Sequence, residues 1–575
     1  MPTLNWIGKE AVVKHHQDVP FRLLEPVSEL SLPSPRGKEA GELSLPSPLG
    51  RGVGGEGNFG GNLIVQGDNL HALKALLPRY AGQVKCIYID PPYNTGNEGW
   101  VYNDNVNSPE IRKWLGEVVG KEGETLDRHD RWLCMMYPRL VLLRQFLRED
   151  GVILMSLDSN EQRHAELLLD EIFGAANRIE TFIWKKSYGG GAKSKQVVNL
   201  HEYVLCFARN KERVGEIELP PSDEVKRYYK FQDEKLEIRG PFRLQPLATN
   251  SMDARPNLRY AIPYQGEEIW PEKQWQWAKE RALAALEANE LVIKKVRERW
   301  SVNYKQYLRD SDGDERGSKL YSIIESIYTQ QGTNELKGMF GDGKTFEFPK
   351  PPTLVEKFIQ AFTHRESIVL DSFAGSGTTG HAVLSANAKD GGNRRFILVE
   401  MDPNIAENVT AERIKRVAGG YAKGALTPDP SPKGRGDKSV EGLGGGFQFC
   451  RLSAEPLFDA DGQIRPDVTF AQLAEFVWFA ETGTGFPHPG PLPAGEGRTL
   501  SPLLGVHDGR AIYLLYNGVL KDPSVAGGNV LTGAVFDRLP QFAGPKVIYA
   551  AANRMGARAG REGITFKQTP YALEV

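Results

Sequence analysis

Cysteine is scarce in this sequence, with four residues among 575: Cys86, Cys134, Cys206 and Cys450. They are scattered along the chain, without the close spacing of a metal-binding motif or the pattern of a disulfide framework. Such sparse use of cysteine fits a reducing compartment. We therefore expect a cytoplasmic protein without a bound metal.

Long hydrophobic runs and an excess of one charge are also missing. No apolar run approaches the roughly 20 residues needed to cross a bilayer, and residues 1–6 lack the basic-then-apolar pattern of a signal peptide. The 71 Lys and Arg are balanced by 73 Asp and Glu, giving a net charge of −2. This balance argues against a protein that coats nucleic acid by charge alone, but it permits a local basic groove.

Proline and glycine are concentrated in three stretches, residues 31–57, 426–446 and 486–498. Pro and Gly at this density cannot form a packed core. Because long surface insertions cost little conformational entropy, we interpret the stretches as related insertions in surface loops.

Apolar periodicity outside these stretches predicts strands alternating with helices, which is typical of an α/β sheet. The expected strands are 63–65, 84–89, 152–157, 179–184, 203–207, 368–371 and 395–400, and the expected helices are 70–77, 131–148, 162–173, 354–362, 379–386 and 403–417. The alternation is absent from 211–335, which indicates an inserted module, and residues 420–575 have the character of a separate domain.

One expected strand ends at a carboxylate followed by two prolines and an aromatic residue, Asp90-Pro91-Pro92-Tyr93. Prolines end a central strand and fix φ, so this turn is rigid. Open α/β sheets bind ligands at the carboxyl ends of their strands. A carboxylate, a carbonyl and a ring at such a place suit a planar ligand that donates hydrogens from an exocyclic amine. An ordinary strand-to-loop exit would have the same local pattern.

A glycine-rich turn joins a strand to a helix at residues 371–379. Its glycines let the backbone approach a ligand, and the helix that follows offers free N–H groups. No Gly-Lys-Ser/Thr follows, which excludes a P-loop. Glu400 closes the next expected strand, where a ribose-binding acid would lie. These features predict a site for a nucleoside-bearing cofactor without a polyphosphate.

The two motifs together resemble those of S-adenosylmethionine-dependent DNA methyltransferases. Residues 373–377 are similar to their F-x-G-x-G signature, and residues 90–93 to their D-P-P-Y motif. With D-P-P-Y first and F-x-G-x-G about 280 residues later, the order resembles the β class of amino-methyltransferases.

Longer strings resemble the modification subunit of type III restriction–modification systems. They are residues 67–70, 88–96, 136–140 and 149–152. The resemblance covers 62–210 and 336–418 and continues more loosely to the C-terminus, whereas the Pro/Gly-rich stretches depart from the family pattern.

The resemblance implies an α/β fold: a Rossmann-like methyltransferase sheet with an inserted target-recognition module and a C-terminal α+β domain. The expected organisation begins with an N-terminal segment (1–61) and a first methyltransferase segment that carries the catalytic motif (62–210). The target-recognition module (211–335), a second methyltransferase segment with the cofactor motif (336–418) and the C-terminal domain (419–575) follow.

The resemblance also implies methyl transfer to an exocyclic amine of a DNA base that is flipped out of the duplex. Asp90 would accept a hydrogen bond from the amine, the Pro91 carbonyl would take the second hydrogen, Pro92 would complete the rigid turn, and Tyr93 would stack on the base. Family members with Asp in the first position mostly act on adenine N6, which favours adenine. Asn94 would support the base pocket or simply form the turn.

For the cofactor, S-adenosyl-L-methionine, the resemblance assigns Asp371, Phe373, Gly375 and Gly377 to its methionine side and Glu400 to its ribose. It leaves two roles open for each of three further residues. Asp68 would lie near the adenine of the cofactor or merely cap a helix. Thr378 and Thr379 would hydrogen-bond the cofactor or cap the following helix.

The expected partners are double-stranded DNA, a second copy of the chain in a homodimer, and a separate restriction subunit with nuclease and helicase activity; no membrane is expected. Basic residues interleaved with aromatics in 211–335 suit DNA contacts: Arg255, Arg259, Lys294, Lys295, Arg297, Arg299, Trp300, Lys305 and Arg309. The glycine-rich basic loop 185–195 is a second candidate for DNA binding. Two alternatives stay open: methylation of cytosine N4 or of RNA, and a DNA-recognition subunit that has lost methylation.

Overall fold

The computed structural model describes residues 4–34, 61–95, 113, 128–189, 196–221, 223–250, 253, 255–297, 299–311, 313, 315–341, 345–422, 439–487, 501–516, 519–520 and 528–569. Most of the three Pro/Gly-rich stretches, and residues 190–195 of the basic loop, lie outside the described residues. The chain divides into two compact units, one formed by Met1–Ile217 with Tyr321–Val575 and the other by Glu218–Leu320.

Strands and helices alternate along much of the larger unit, whereas the smaller unit contains runs of short strands. The strands are β1 Arg22–Pro26, β2 Leu63–Gln66, β3 Val84–Ile89, β4 Leu147–Leu157, β5 Arg178–Lys185, β6 His201–Ala208, β7 Glu218–Leu219, β8 Phe242–Pro246, β9 Ala248–Thr249, β10 Ile262–Tyr264, β11 Glu267–Ile269, β12 Gln274–Trp275, β13 Leu291–Val296, β14 Arg299–Tyr307, β15 Ser318–Lys319, β16 Ile323–Ile324, β17 Ile368–Asp371, β18 Arg395–Glu400, β19 Gly420–Ala422, β20 Ser439–Glu441, β21 Gln448–Pro456, β22 Leu503–His507, β23 Arg510–Leu514, β24 Val530–Leu531, β25 Lys546–Ala550, β26 Ala552–Asn553 and β27 Ile564–Gln568.

The helices are α1 Lys9–Val12, α2 His15–Asp18, α3 Asn69–Tyr80, α4 Arg128–Phe146, α5 Gln162–Leu169, α6 Asp223–Lys226, α7 Leu236–Arg239, α8 Lys279–Glu287, α9 Thr329–Phe340, α10 Pro352–Phe362, α11 Thr378–Asp390, α12 Pro403–Ile405, α13 Glu412–Gly419, α14 Phe470–Thr482, α15 Gly533–Phe536 and α16 Ala557–Arg561. Two π-helical turns, Asp170–Gly174 and Ala406–Ala411, follow α5 and α12. In the described part of the chain, no helix is long and apolar enough to cross a bilayer.

A ten-stranded sheet in the order β1-β21-β2-β18-β17-β3-β4-β6-β5-β16 forms the centre of the larger unit. Its six strands from β21 to β4 run parallel, while β6 pairs antiparallel with both β4 and β5. The buried runs of β3 and β18 match the near-continuous apolar strands of a sheet covered on both faces. The fold is therefore α/β, as the alternating pattern predicted. The sheet is mixed.

The connections from the parallel strands to the following helices lie at the carboxyl ends of those strands. Helix α3 begins directly after Asp68, whose side chain accepts hydrogen bonds from the amides of Leu70 and His71. Its apolar residues recur at helical spacing, and Leu70, Leu73 and Leu77 are buried. The helix thus starts at the sheet edge where a ligand site is expected.

The smaller unit, Glu218–Leu320, has a hydrophobic core of its own. A three-stranded antiparallel sheet in the order β13-β14-β8 is its largest element, and helix α8 packs Ala282 and Ala285 into the core around Trp275. The unit begins and ends in the short ladder β7–β15, where Glu218 is paired with Lys319. The inserted unit is thus shorter than the module expected at 211–335.

The described strands after 419 lie in the main sheet, in a four-stranded sheet and in two two-stranded sheets, β19–β20 and β24–β26. Strand β21 joins the main sheet between β1 and β2, although the sequence predicted a separate domain from 419 onward. The strands β22, β23, β25 and β27 form a second sheet, in which β23, β25 and β27 are parallel. Helix α14 packs against this sheet through residues such as Phe476 and Val477.

Candidate active site

The two predicted motifs lie at one edge of the main sheet. Strands β3 and β17 are adjacent and parallel, with Leu370 paired to Ile87. Asp90 follows the last residue of β3, and Asp371 is the last residue of β17. Strand β18 is the other neighbour of β17 and ends at Glu400. Residues far apart in sequence therefore meet where parallel strands end, the usual place for a ligand.

Asp90 has one engaged and one unengaged carboxylate oxygen. Its Oδ2 accepts a hydrogen bond from Lys350 Nζ at 2.9 Å. Its Oδ1 is buried and has no hydrogen bond of normal geometry among the described residues, although the Tyr93 hydroxyl is near enough to Asp90 to lower the pKa of its carboxyl. Because a buried acceptor without a donor is costly, Oδ1 is suited to receive a hydrogen from a ligand.

Lys350 connects Asp90 to a second carboxylate, Glu202. The Lys350 Nζ lies 3.5 Å from Glu202 Oε2, and Lys186 Nζ lies 2.9 Å from Glu202 Oε1. The Tyr93 hydroxyl donates to Glu202 Oε2 at 3.1 Å. Lys350 Nζ also lies 4.7 Å from the centroid of the Tyr93 ring. This network fixes both the carboxylate and the aromatic ring of the motif.

Burial and charge act against each other in this network. Burial raises the pKa of Asp90 above its usual value, and the Lys350 ammonium opposes the rise. At Glu202 burial also favours the neutral form, but Lys350 and Lys186 outweigh it and hold the pKa below its usual value. Burial would lower the pKa of Lys350, but Asp90 and Glu202 raise it above its usual value. Lys350 therefore stays protonated and favours an ionised Asp90.

Hydrogen bonds from Trp132 and Asn94 hold the rest of the Asp90–Tyr93 turn in place. Trp132 Nε1 donates to the Pro92 carbonyl at 2.7 Å. Asn94 has a left-handed backbone with φ of 55°, a conformation that Asn tolerates better than most residues. Its side-chain amide is buried and donates to the Arg128 carbonyl at 3.0 Å and to Glu161. Asn94 thus forms the turn, one of its two predicted roles.

Glu161 is fully buried and accepts from three side chains. Besides Asn94, His129 Nδ1 lies 2.7 Å from its Oε1 and His164 Nδ1 lies 2.8 Å from its Oε2. Burial raises the pKa of Glu161 to about 7, and the hydrogen bonds from Asn94 and His164 oppose that rise.

Asp371 anchors the glycine-rich turn from its first position. Its Oδ1 accepts from the Phe373 amide at 2.9 Å, and its Oδ2 accepts from the Thr379 hydroxyl at 2.5 Å. Burial raises the pKa of Asp371 to about 7; the two hydrogen bonds oppose this, and the charges of Asp90 and Glu400 add to it. The strand ends thus gather carboxylates that repel one another.

The two glycines of the turn have backbones that favour glycine, with φ of 49° at Gly375 and 77° at Gly377. At Gly377 an added Cβ would lie 3.2 Å from Thr410 Cγ2. Thr410 Oγ1 donates to the Gly375 carbonyl at 2.6 Å. The buried Arg413 donates to Thr378 Oγ1 at 2.9 Å. The turn is therefore held tightly against the segment that follows β18.

Glu400 faces the same turn. Its Oε2 accepts from the Gly375 amide at 2.8 Å, and its Oε1 accepts from the Asp402 amide at 2.9 Å. The ribose role assigned to Glu400 stays a prediction.

Asp68 caps helix α3, which is one of its two predicted roles. Its Oδ2 also lies 3.1 Å from Arg139 Nη2. The neighbouring Asn69 donates to the Ser372 carbonyl at 3.2 Å and accepts from Arg139. Asp68 is therefore one residue away from a direct contact with the glycine-rich turn.

Several site residues were not predicted. Lys350 is 260 residues from Asp90 in sequence, and no spacing signals that pairing. Glu202 and Lys186 lie on or beside antiparallel strands whose register a sequence does not show. For Trp132 and Arg139 the apolar spacing predicts only a place in a helix. A Lys between two prolines, at 349–351, is the one local oddity that could have drawn attention to Lys350.

The sheet and its edge define an α/β protein with a ligand site built from a rigid acidic turn and a glycine-rich turn on neighbouring parallel strands. Residues 84–412 match the family model described as DNA methylase. This match covers more than half of the 575 residues, and the chain belongs to that DNA methylase family.

Individual relatives agree with this assignment. The Mod subunit of the type III restriction–modification enzyme EcoPI from Escherichia phage P1 is 32% identical over 424 residues, which cover 65% of this chain and 64% of the relative. The StyLTI Mod subunit from Salmonella typhimurium strain LT2 is 32% identical over 361 residues, 61% of this chain and 54% of the relative. The chain thus spans less than two thirds of the length of either relative.

Among solved structures, the Thermus thermophilus protein TTHA0409, crystallised with S-adenosyl-L-methionine, aligns over 62% of this chain and 95% of its own, with 14% identity and a TM-score of 0.28. The cytosine-N4-specific PvuII DNA methyltransferase aligns over 61% of this chain and 85% of its own, with 13% identity and a TM-score of 0.30. TM-scores this low support no inference about the present chain.

Proposed function

We propose that this chain transfers a methyl group from S-adenosyl-L-methionine to the N6 amine of an adenine flipped out of double-stranded DNA, as the modification subunit of a type III restriction–modification system. The observation that carries the proposal is the buried Asp90 Oδ1, without a hydrogen bond of normal geometry among the described residues, beside the glycine-rich turn on the next strand. Its sequence similarity to two Mod subunits supports the choice of system.

The residues of the turn suit the amine rather than a strong-base mechanism. The adenine amine would donate one hydrogen to Asp90 Oδ1 and the other to the Pro91 carbonyl, which orients the nitrogen lone pair away from both. Tyr93 would stack on the base, a contact worth about 1–3 kcal/mol. Lys350 would keep Asp90 ionised and in place. Positioning then supplies most of the rate enhancement.

The residues around the glycine-rich turn fit the proposed cofactor. When bound, S-adenosyl-L-methionine supplies an activated methyl group on a positively charged sulfur. Asp371 and Glu400 supply negative charge, and the repulsion that raises the pKa of Asp371 would be relieved by a cation. Gly375 and Gly377 leave room for close approach, and the first turn of α11 offers backbone amides.

The smaller unit is the proposed reader of the DNA sequence. It has a cavity of about 300 Å³ whose lining includes Arg281, Tyr304 and Arg316. The Arg281 guanidinium lies 4.2 Å from the centroid of the Trp277 ring. Cations beside aromatic faces suit phosphates and unstacked bases. Lys305 is a weaker candidate than predicted, because it is nearly buried in an ion pair with Asp233 at 2.8 Å.

The proposed partners follow from the same function. We place the protein in the cytoplasm as a homodimer on double-stranded DNA, able to bind a separate restriction subunit. No helicase or nuclease motif is recognisable in the sequence, so DNA cleavage would depend on that subunit.

Replacing Asp90 tests the chemistry. We expect Asp90→Ala to abolish methyl transfer to DNA while leaving S-adenosyl-L-methionine binding, measured by calorimetry, largely unchanged. The control is Asp508→Asn, which removes the charge of a carboxylate that is 92% exposed and keeps a residue that tolerates the left-handed backbone at this position. Near-normal methyl transfer by Asp90→Ala would show that the assigned mechanism is wrong.

The modified base tests the substrate. DNA from cells that express the chain would be digested to nucleosides and, in parallel, read by single-molecule sequencing. We expect N6-methyladenine in one sequence context. N4-methylcytosine instead would replace adenine by cytosine as the target, and cofactor binding without any modified base would favour a recognition subunit that has lost methylation.

A further inference from the structure

Three possible metal ligands meet behind the Asp90–Tyr93 turn. His129 lies in the first turn of α4, Glu161 directly precedes α5, and His164 lies in its first turn. One donor atom from each residue falls within 4.8 Å of the other two. In the part of the chain that the structure describes, this is the one group of three such side chains. The sequence predicted no metal, because the cluster depends on the packing of two helices.

We propose that His129, Glu161 and His164 bind one divalent metal ion of the zinc type, which holds the Asp90–Tyr93 turn in place. The site is distinct from the proposed methyl-transfer site and does not take part in the chemistry there.

The donor set selects the class of metal. Two imidazole nitrogens and one carboxylate oxygen suit Zn²⁺ and related transition metals, whereas Mg²⁺ and Ca²⁺ prefer oxygen ligands. Three protein ligands leave a fourth position for water. The side chains of His129 and His164 are 27% and 34% exposed, so an ion and its water can reach the cluster from solvent.

The distances from the two imidazoles to Glu161 need only a small adjustment, and all three donor atoms lie within 4.8 Å of one another. The Nδ1 atoms of His129 and His164 lie 2.7 Å and 2.8 Å from the Glu161 oxygens. Around a tetrahedral ion with bonds of about 2.0–2.1 Å, neighbouring ligand atoms are roughly 3.3 Å apart. The imidazoles would move outward by about half an ångström, and the buried Glu161 would exchange hydrogen bonds for a metal bond.

Two neighbours define what the ion would do. Asn94, the residue after Tyr93, donates to Glu161. A metal ion bound to Glu161 would therefore fix the end of the Asp90–Tyr93 turn through a residue that does not itself bind the ion. Arg128 Nε lies 3.3 Å from His129 Nε2. Metal binding at His129 Nδ1 would put the proton on Nε2, so Arg128 competes with the ion.

Zinc content measures the site directly. The untagged full chain would be treated with chelator, incubated with Zn²⁺, dialysed and analysed by mass spectrometry for metal per chain. We expect about one Zn²⁺ per chain in the unaltered protein and in His364→Ala, an exposed histidine used as control. We expect loss of that zinc in Glu161→Gln and His164→Asn, and retention or tighter binding in Arg128→Ala.

Three further readouts separate a lost ligand from a lost fold. Circular dichroism checks that each variant is folded, and Co²⁺ in place of Zn²⁺ gives visible absorption bands when the ligands are tetrahedral. Zn²⁺ should raise the melting temperature of the unaltered chain but not of His164→Asn. Equal zinc in the unaltered chain and folded Glu161→Gln, or none in either, would overturn the proposal and leave a hydrogen-bonded cluster. None of these readouts depends on methyl transfer.

Discussion

At the scale of single residues, the site is organised by a cation that holds two carboxylates. Lys350 contacts Asp90 and Glu202 and lies over the Tyr93 ring. Without that cation, two buried negative charges would face each other close to the proposed site of the base. The acidic motif therefore depends on a residue outside it.

Replacing Lys350 by Met tests this dependence. Breaking a buried ion pair by removing one partner typically costs about 3–5 kcal/mol, so we expect a lower free energy of unfolding and at least about a tenfold loss of methyl transfer at neutral pH. Because the pKa of Asp90 would rise further, the acid limb of the pH–rate profile should move to higher pH. The control is Lys14→Met, which removes an exposed lysine.

A second substitution separates stability from catalysis in the Lys350 variant. Adding Glu202→Gln removes the other buried charge, so it should restore part of the unfolding free energy without restoring methyl transfer. An unshifted pH–rate profile in Lys350→Met would contradict the positioning role of the lysine.

The carboxyl of Asp371 makes stability depend on pH. Its pKa in the folded chain is about 7, above the unfolded value of about 3.9, so the native state binds more protons between these values. Its contribution is present below about pH 4 and is lost as the pH rises through about 7. Relative to Asp371→Asn, the unaltered chain should lose on the order of a few kcal/mol between about pH 5 and about pH 8 in urea unfolding. Parallel stability curves for the two proteins would refute this.

At the scale of elements, the central sheet was largely predictable. The bounds of β3, β17 and β18 agree with the expected ranges 84–89, 368–371 and 395–400, because continuous apolar runs between turn residues leave little choice. The helix expected at 403–417 is instead interrupted by a π-helical turn, which apolar spacing does not reveal.

The pairing between distant strands was harder to predict from the sequence. Strand β21 enters the main sheet beside β2 although the two are separated by more than 380 residues, and β1 pairs with β21 in turn. Local patterns carry no register for such pairs. For the same reason the partners of Asp90 and Tyr93 were missed, whereas the two motifs themselves were found from residue types and order.

Alanine substitutions at the two ends of α11 test how much space and backbone freedom its flanking glycines need. Gly377 has φ of 77° and an added Cβ would crowd Thr410. Gly391, at the other end of the same helix, has φ of 67° with nothing within 4 Å of an added Cβ. We expect either Ala substitution to cost about 1 kcal/mol or more through backbone strain, with the larger loss at Gly377.

Cofactor binding separates these two glycine variants further. Only Gly377→Ala should weaken S-adenosyl-L-methionine binding by calorimetry, because Gly391 lies at the end of α11 away from the site. Equal binding by both variants would show that the Gly377 backbone does not shape the cofactor site.

At the scale of the whole molecule, chemistry and sequence recognition are assigned to different units. All residues of the proposed methyl-transfer site belong to the larger unit, and the smaller unit has its own core. With a net charge of −2, the proposed DNA binding would depend on local features such as the cavity around Arg281 rather than on overall charge. The insertion of Glu218–Leu320 into the larger unit adds to the sequence distance between the two motifs.

Removing the smaller unit tests this division. Glu218 and Lys319 are paired in one ladder, so the ends of the unit are close and a short Gly-Ser linker can replace residues 218–320. We expect the shortened chain to bind S-adenosyl-L-methionine like the full chain, because Asp371 and the glycine-rich turn are retained, and to lose methylation at the recognition sequence. The full chain with Asp90→Ala is the matched control, since it should keep DNA recognition but not methyl transfer. If the shortened chain still methylated the same sequence, recognition would belong to the larger unit.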